Sequence, residues 1–337
     1  MTDLAPGVNI DPPFAAEVPE CGDWDVPRAP YVDYTAYPTP EIVSYANESG
    51  VDGFIVGFLS TTAGGDKNLH WGGYVPHADA GMGVLEQEAL NTFADNGGRL
   101  VLSFGGASNV PLEAEETDVD SIVASYQEVL DNYQVTRLDF SFEGALLHDA
   151  EGLARHIAAM GELLRSNADL KLSYTLPADG APGSLEGFNT DGVGLLRALA
   201  AAGIQPSLIN GMLMEFGQTS PPDAFEASRI ALKAMAKQIQ DIWPAWDSAK
   251  VWRRIGATPM FGRNNNGKTF TLTNMKQLAA FATEKNLGCL SGWDATRDYN
   301  QGTLPDCSVE GGSNLTKCTG VKQKTLAFTK IITRYKK

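Results

Sequence analysis

Residues 137–144 read RLDFSFEG. Apolar Leu138, Phe140 and Phe142 alternate with polar Asp139, Ser141 and Glu143. In an extended strand, alternate side chains leave opposite faces. One face is then greasy, and the other lines up two carboxyl groups with a hydroxyl between them. Out of water, a carboxyl group keeps its proton to higher pH and can donate it as a general acid. A second carboxylate nearby can face positive charge as it develops. The same alternation also suits a sheet with one solvent face, where the three polar groups have no chemical task. The surroundings of the strand must decide.

The other reactive side chains set limits. Cys21, Cys289, Cys307 and Cys318 form no close CxxC pair, and His70, His77, His148 and His156 show no zinc-ligand spacing. No metal is expected. Nor is a nucleotide cofactor, because no GxGxxG loop follows an early strand. Cys307 and Cys318 bracket SVEGGSNLTK, which a disulfide could staple; two free thiols fit the sequence as well. Asn47-Glu48-Ser49 and Asn314-Leu315-Thr316 are glycosylation sequons, relevant only if a eukaryotic cell secretes the chain.

The elements that position Asp139, Ser141 and Glu143 follow from patterning. Apolar runs alternate with amphipathic stretches along the chain. The runs are PYVDYTAY, VDGFIVGFLS, RLVLSFGG, VTRLDFSFEG, LKLSYTLP, PSLINGMLMEF, KVWRRIGATPMFG and GCLSGWDAT. An amphipathic segment follows each, the last being KQKTLAFTKIITRYKK. Strands alternating with helices call for a parallel sheet with crossover helices. Eight such units predict an α/β fold of the (β/α)8, or TIM barrel, type as a single domain over 31–337. Residues 1–30, rich in Pro and acidic side chains, are expected to form an arm on the barrel surface. In a barrel, alternate residues face the interior and active sites lie at the C-terminal ends of the strands. Glu143 is the last residue before Gly144, so the polar face becomes a lumen face. Burying Asp139, Ser141 and Glu143 there is costly unless they hydrogen-bond as a cluster or do chemistry.

The 337 residues are 43% hydrophobic and 20% charged, as in a globular protein with a large core. A net charge of −15 argues against nucleic acid or an anionic membrane as partner. No apolar run reaches the ~18 residues of a membrane span. The N-terminal MTDLAPGVNIDPPF lacks the basic and apolar regions of a signal peptide, which fits either a protein kept inside the cell or a mature form.

The strand-four segment resembles the signature of family 18 glycoside hydrolases, the chitinase family, whose usual form is DxxDxDxE. Glu143 matches the catalytic acid and Asp139 the second Asp. Further segments resemble a bacterial-type branch of that family, in order from Tyr31 to Arg297: PYVDYTAYPTP, WGGY (71–74), VLSFGGAS, KLSYTLP, NGMLMEFG, ATPMFGRNN and LSGWDATRD. The resemblance implies retaining, substrate-assisted hydrolysis of β-1,4 links next to N-acetylglucosamine. Glu143 would protonate the glycosidic oxygen. The substrate's acetamido oxygen would attack C1, and the group two residues before the Glu would hold the acetamido N–H. It also implies catalytic roles for Glu143, Asp139 and Ser141. Trp293 would form an aromatic floor for the sugar, and Met212, Met214, Glu215, Phe216, Gly106, Tyr34 and Trp71 would line the substrate site. Chitin or N-acetylglucosamine oligosaccharides would be the partner. A monomer and an extracellular location are expected, with an intracellular location as the alternative.

The departures from the family pattern fall on chemistry. Thr136 stands at the first Asp position, and Ser141 replaces the acetamido-holding Asp. Glu215 replaces an Asp, Phe216 a Tyr, and Asn265 stands where Asp is common. A hydroxyl at 141 brings no charge to face an oxazolinium ion. By analogy with losing one oxyanion-hole donor, this costs roughly 100- to 1,000-fold in rate. Three expectations result: a chitinase-like hydrolase, either of reduced activity or retuned so that Glu215 or Asp139 takes over the acidic role; a non-catalytic chitin-oligosaccharide-binding protein; or an endo-β-N-acetylglucosaminidase acting on glycans.

Overall fold

The computed structural model describes residues 17–36, 39–61, 67–73, 75–76, 84–107, 110–183, 185–307 and 314–337. Expectations placed on residues 1–16, Tyr74, His77 and the loop 308–313 lie outside the described residues.

Among the described residues, eight parallel strands form the barrel part of the sheet: β1 (Tyr31–Asp33), β2 (Gly53–Ser60), β3 (Arg99–Gly105), β4 (Arg137–Ser141), β5 (Lys171–Ala181), β6 (Leu208–Leu213), β7 (Ile255–Pro259) and β8 (Cys289–Leu290). They pair in sequence order from β1 to β8. The ends then meet. The Leu290 N–H donates to Pro27 O at 2.8 Å and the Tyr31 N–H to Gly292 O at 3.0 Å, which closes the barrel. The β2 run GFIVGFLS is covered on both faces, as a parallel strand between lumen and helices must be. Side-chain caps start the outer helices. Asp118 accepts from Ser121 N, Asp149 from Gly152 N, Asn189 from Gly192 N and Asp223 from Glu226 N. Thr271 and Asn274 form a reciprocal capping box.

The structure departs from the sequence reading at several places. β5 runs past the LKLSYTLP segment and folds back on Leu185–Phe188 as an antiparallel hairpin, pairing Ala178 with Phe188. The Gly-rich segment after β2 contains two short antiparallel strands, His70–Trp71 and Val75–Pro76. β8 is short, and Asp294 caps an additional helix, Ala295–Thr303. The expected C-terminal helix shrinks to Thr329–Ile332. Leu326 has φ +55°, which a right-handed helix cannot contain. Buried Asp298 starts the helix instead, accepting from Thr329 N at 2.7 Å, Thr329 Oγ1 at 2.8 Å and Phe328 N at 3.2 Å.

The described part of the N-terminal segment is exposed at Glu17, Pro19, Glu20, Gly22 and Asp23 but also sends side chains inward. Trp24, Val26 and Ala29 are buried with Ile55, Val101, Leu208 and Cys289 at the N-terminal ends of the strands, so the segment plugs the barrel floor. The apolar residues of 21–29 are the physical reason. The Trp24 indole also needs a partner once buried, and donates to Val26 O at 2.9 Å. Cys307 and Cys318 form a disulfide with Cα atoms 5.4 Å apart.

Candidate active site

The lumen above this floor is polar. Asp139 on β4 is fully buried and sits in a cradle of hydroxyls from three other strands. Its Oδ2 accepts from Tyr31 Oη (β1) and Ser103 Oγ (β3), each at 2.7 Å, and its Oδ1 accepts from Thr175 Oγ1 (β5) at 2.8 Å. Asn210 on β6 extends the chain of bonds, donating to Thr175 Oγ1 at 3.0 Å and Thr258 Oγ1 (β7) at 2.7 Å. Burial pushes the Asp139 carboxyl above its usual range, while the surrounding hydroxyls pull it down. Tyr31, Ser103, Thr175, Asn210 and Thr258 were not among the residues expected from sequence. Their signal is a polar residue at an inward position of an otherwise apolar strand.

Ser141 is the next inward residue on β4, and it is buried. β3 hugs it through the Gly105-Gly106 pair. Gly106 N donates to Ser141 O at 3.0 Å. A Cβ on Gly105 would stand 2.5 Å from that same oxygen, and one on Gly106 would stand 2.7 Å from the Phe58 ring. Both glycines also have φ near +90°, so the SFGG run is required for this approach. Glu143 follows in extended conformation with φ −148°, and Gly144 at φ +62° turns the chain sharply into a short 3-10 segment. The Glu143 side chain is half-buried at the C-terminal mouth of the barrel. Burial alone pushes its carboxyl above the ordinary glutamate range. A half-buried carboxyl that retains its proton suits a general acid open to substrate.

Trp293 lies at the same end, just after β8. Its ring stacks on Phe58 with centroids 5.4 Å apart and an interplanar angle of 15°, and it tilts against Tyr31 at 5.7 Å. The ring is half-buried, as a platform at the rim must be. Met212 shares the inward parity of Asn210 on β6, and Met214 follows one residue past the strand. Among the expected residues, the structure therefore brings Asp139, Ser141, Glu143, Gly106, Trp293 and Met212 to the lumen and its C-terminal end.

Four expected residues are engaged elsewhere. Tyr34 and Trp71 are buried against each other, with centroids 5.2 Å apart, and Trp71 Nε1 donates to Tyr133 Oη at 3.0 Å. Neither ring has a free face for a sugar. Phe216 is buried in the main hydrophobic core. Glu215 is exposed, and its carboxylate accepts hydrogen bonds from Asn265 and Asn266 on the loop after β7. Strand patterning showed none of these partners, because each lies far away in sequence.

Behind β4 the outward rings of Phe140 and Phe142 pack on the His156 ring, with centroids 4.5 and 4.8 Å away. His156 Nδ1 lies 2.7 Å from Glu113 Oε1, and Nε2 lies 2.9 Å from Tyr174 Oη. Tyr126 Oη donates to the same Glu113 oxygen at 2.6 Å. Despite burial, the His156 charge and these hydrogen bonds hold the Glu113 carboxyl below its usual range. This buried group backs the strand that carries Glu143. Among the described residues, no group of three or more His, Cys, Asp or Glu side chains is arranged to hold a metal ion. Among the described residues, no helix is long and apolar enough to cross a membrane.

No family model matches the chain. Two curated proteins do. A probable bifunctional chitinase/lysozyme of Escherichia coli K12 is 27% identical over 288 residues, covering 82% of this chain and 31% of the relative. Endochitinase 11 of Metarhizium anisopliae is 27% identical over 283 residues, covering 80% of this chain and 52% of the relative. The chain thus spans about a third and about half the length of these relatives. The catalytic domain of a hyperthermophilic Pyrococcus furiosus chitinase superposes with a TM-score of 0.78 at 23% identity, covering 93% of this chain and 96% of that domain. A catalytic-site mutant of a thermostable Pyrococcus furiosus chitinase, solved with chito-oligosaccharides, superposes with a TM-score of 0.77 at 23% identity over the same shares. The fold is that of the family 18 chitinase catalytic domain, a TIM barrel. These relatives and neighbours are chitinases by name, and what the chain shares with them is 27% identity over about four-fifths of its length and the barrel fold.

Proposed function

We propose that the protein hydrolyses β-1,4 links next to N-acetylglucosamine in chitin or its oligosaccharides, with Glu143 as the proton donor. The observation that carries this reading is the position and state of Glu143. It lies two residues past the end of β4, half-buried, with its carboxyl pushed towards the protonated form. The glycosidic oxygen takes the Glu143 proton as its bond to C1 breaks. The substrate's acetamido oxygen bonds to C1, giving an oxazolinium ion and retained configuration after water enters. Glu143, now ionised, takes a proton from that water. The Trp293 ring supplies an apolar face for the sugar.

Ser141 favours a second reading. It lies where the acetamido group must be held, and it supplies a hydroxyl without charge. A protein that binds chitin oligosaccharides and cleaves them slowly or not at all fits that residue. One experiment separates the two: incubate the protein with chitin oligosaccharides and follow both binding and cleavage. Cleavage that Glu143→Gln abolishes, with binding kept, supports the hydrolase. Tight binding without cleavage above a blank would sink it in favour of the binding protein. Release of intact glycans from a glycoprotein, with chitin untouched, would point to an endo-β-N-acetylglucosaminidase.

A further inference from the structure

We propose that Glu215 is a positioning residue that clamps the loops after β6 and β7 into one wall of the cleft, with no part in proton transfer. The proposal rests on reading this cleft as the site of glycoside cleavage. By the resemblance, Glu215 stands where an Asp is usual and could take over the acidic role, and its contacts point to a different task.

Its Oε1 accepts from Asn265 N at 2.8 Å and Asn265 Nδ2 at 3.1 Å, and its Oε2 accepts from Asn266 N at 3.0 Å. Among the described residues, these hydrogen bonds of the carboxylate all run to the β7 loop. The backbone is tied to the same place. Glu215 N donates to Asn264 Oδ1 at 3.0 Å, and Asn266 Nδ2 donates to Phe216 O at 3.0 Å. Lys268 Nζ adds a bond to Gly217 O at 2.7 Å. Asn264 is itself buried. Glu215 has φ +53°, a left-handed conformation that a non-glycine residue keeps only where its surroundings over-determine it. Bonds on both its amide and its carboxylate provide that constraint.

The extra methylene of Glu over Asp has a physical role here. The longer side chain spans from β6 to two successive backbone N–H groups on the neighbouring loop. The wall continues on the other side, where Asp179 of the β5 hairpin accepts from Gly217 N at 3.2 Å and Ser220 Oγ at 3.0 Å. Three consecutive loops of the barrel mouth are thus stitched together, with Glu215 central to the β6–β7 seam.

The test compares wild type with Glu215→Ala and Glu215→Gln. Amide hydrogen exchange across 262–268 is expected to quicken about tenfold or more in Glu215→Ala, with a smaller effect in Glu215→Gln, which keeps one carbonyl acceptor. On chitin oligosaccharides, KM is expected to rise in Glu215→Ala. In Glu215→Gln, kcat should stay within roughly threefold of wild type and both limbs of the pH–kcat profile should stay in place. Unchanged exchange in Glu215→Ala overturns the clamp. So does a large fall in kcat for Glu215→Gln with a missing pH limb, which would make Glu215 an acid of the reaction. Should the protein cleave nothing, the reading of the site fails, while the exchange comparison still decides the clamp.

Discussion

Tyr31 donates its hydroxyl to Asp139 Oδ2 at 2.7 Å across the lumen, from a strand 108 residues away in the chain. The bond joins the first barrel strand to the strand that carries Glu143. Asp139 is fully buried with only neutral donors on its carboxylate. Each hydroxyl therefore stabilises the ionised form. Tyr31→Phe removes one of them and should push the Asp139 carboxyl further up. The folded pKa then lies still higher above the unfolded value, so the stability deficit grows as pH rises through it. The expected cost near neutral pH is about 1–3 kcal/mol, and less in acid where the carboxyl is protonated. Thermal unfolding of both proteins at pH 4 and pH 7.5 tests this. An equal deficit at both would count against an ionisable Asp139 as the cause.

Under the proposed function, the pH dependence of cleavage follows from Glu143. A general acid works while protonated, and burial raises the pH at which Glu143 gives up its proton. The alkaline limb of the kcat profile should therefore lie above the ordinary glutamate range of about 4.3. A profile already falling at that value would remove Glu143 from the role of acid.

Ser141→Asp tests the missing charge. If its absence is the main defect of the site, the variant should turn over chitin oligosaccharides faster, by up to about 100-fold. The new carboxylate would stand on the same strand face as Asp139, two residues on. Unfolding should be checked alongside, because two buried acids on one face repel. A folded variant with no gain in rate would show that the site is built around another group.

The buried Glu113–His156 couple predicts a stability effect. Glu113→Ala leaves His156 and the hydroxyl of Tyr126 without their shared acceptor. Breaking such a buried pair typically costs about 3–5 kcal/mol. The Glu113 carboxyl is depressed in the fold, so its contribution is present above the unfolded glutamate pKa and lost as pH falls through the folded one. Acid unfolding of wild type should therefore begin at lower pH than that of the variant. Coincident acid transitions would refute the assignment.

Much of this was legible in the sequence. The alternation of RLDFSFEG placed Asp139, Ser141 and Glu143 on one face, and strand–helix alternation turned that face into a lumen. The rest depended on partners that one-dimensional patterning does not show. Trp71 reads as a binding aromatic until Tyr133, 62 residues on, accepts its indole N–H in the core. Glu215 reads as a displaced active-site acid until two amides about 50 residues later take up its carboxylate. The C-terminal segment has a helical pattern throughout, yet the left-handed backbone at Leu326 and the Asp298 anchor confine the helix to four residues. The proline-rich, acidic look of the first thirty residues suggested solvent, whereas Trp24 outweighs its neighbours by filling the floor.

That floor also meets the far end of the described chain. Lys337 Nζ donates to Trp24 O at 2.8 Å, so the C-terminal residue meets the N-terminal plug at the end of the barrel opposite Glu143. A domain, label or surface linker joined after Lys337 would leave from the underside and keep the reaction mouth clear. Immobilised by that tail, the protein should present its cleft outward to an insoluble polysaccharide.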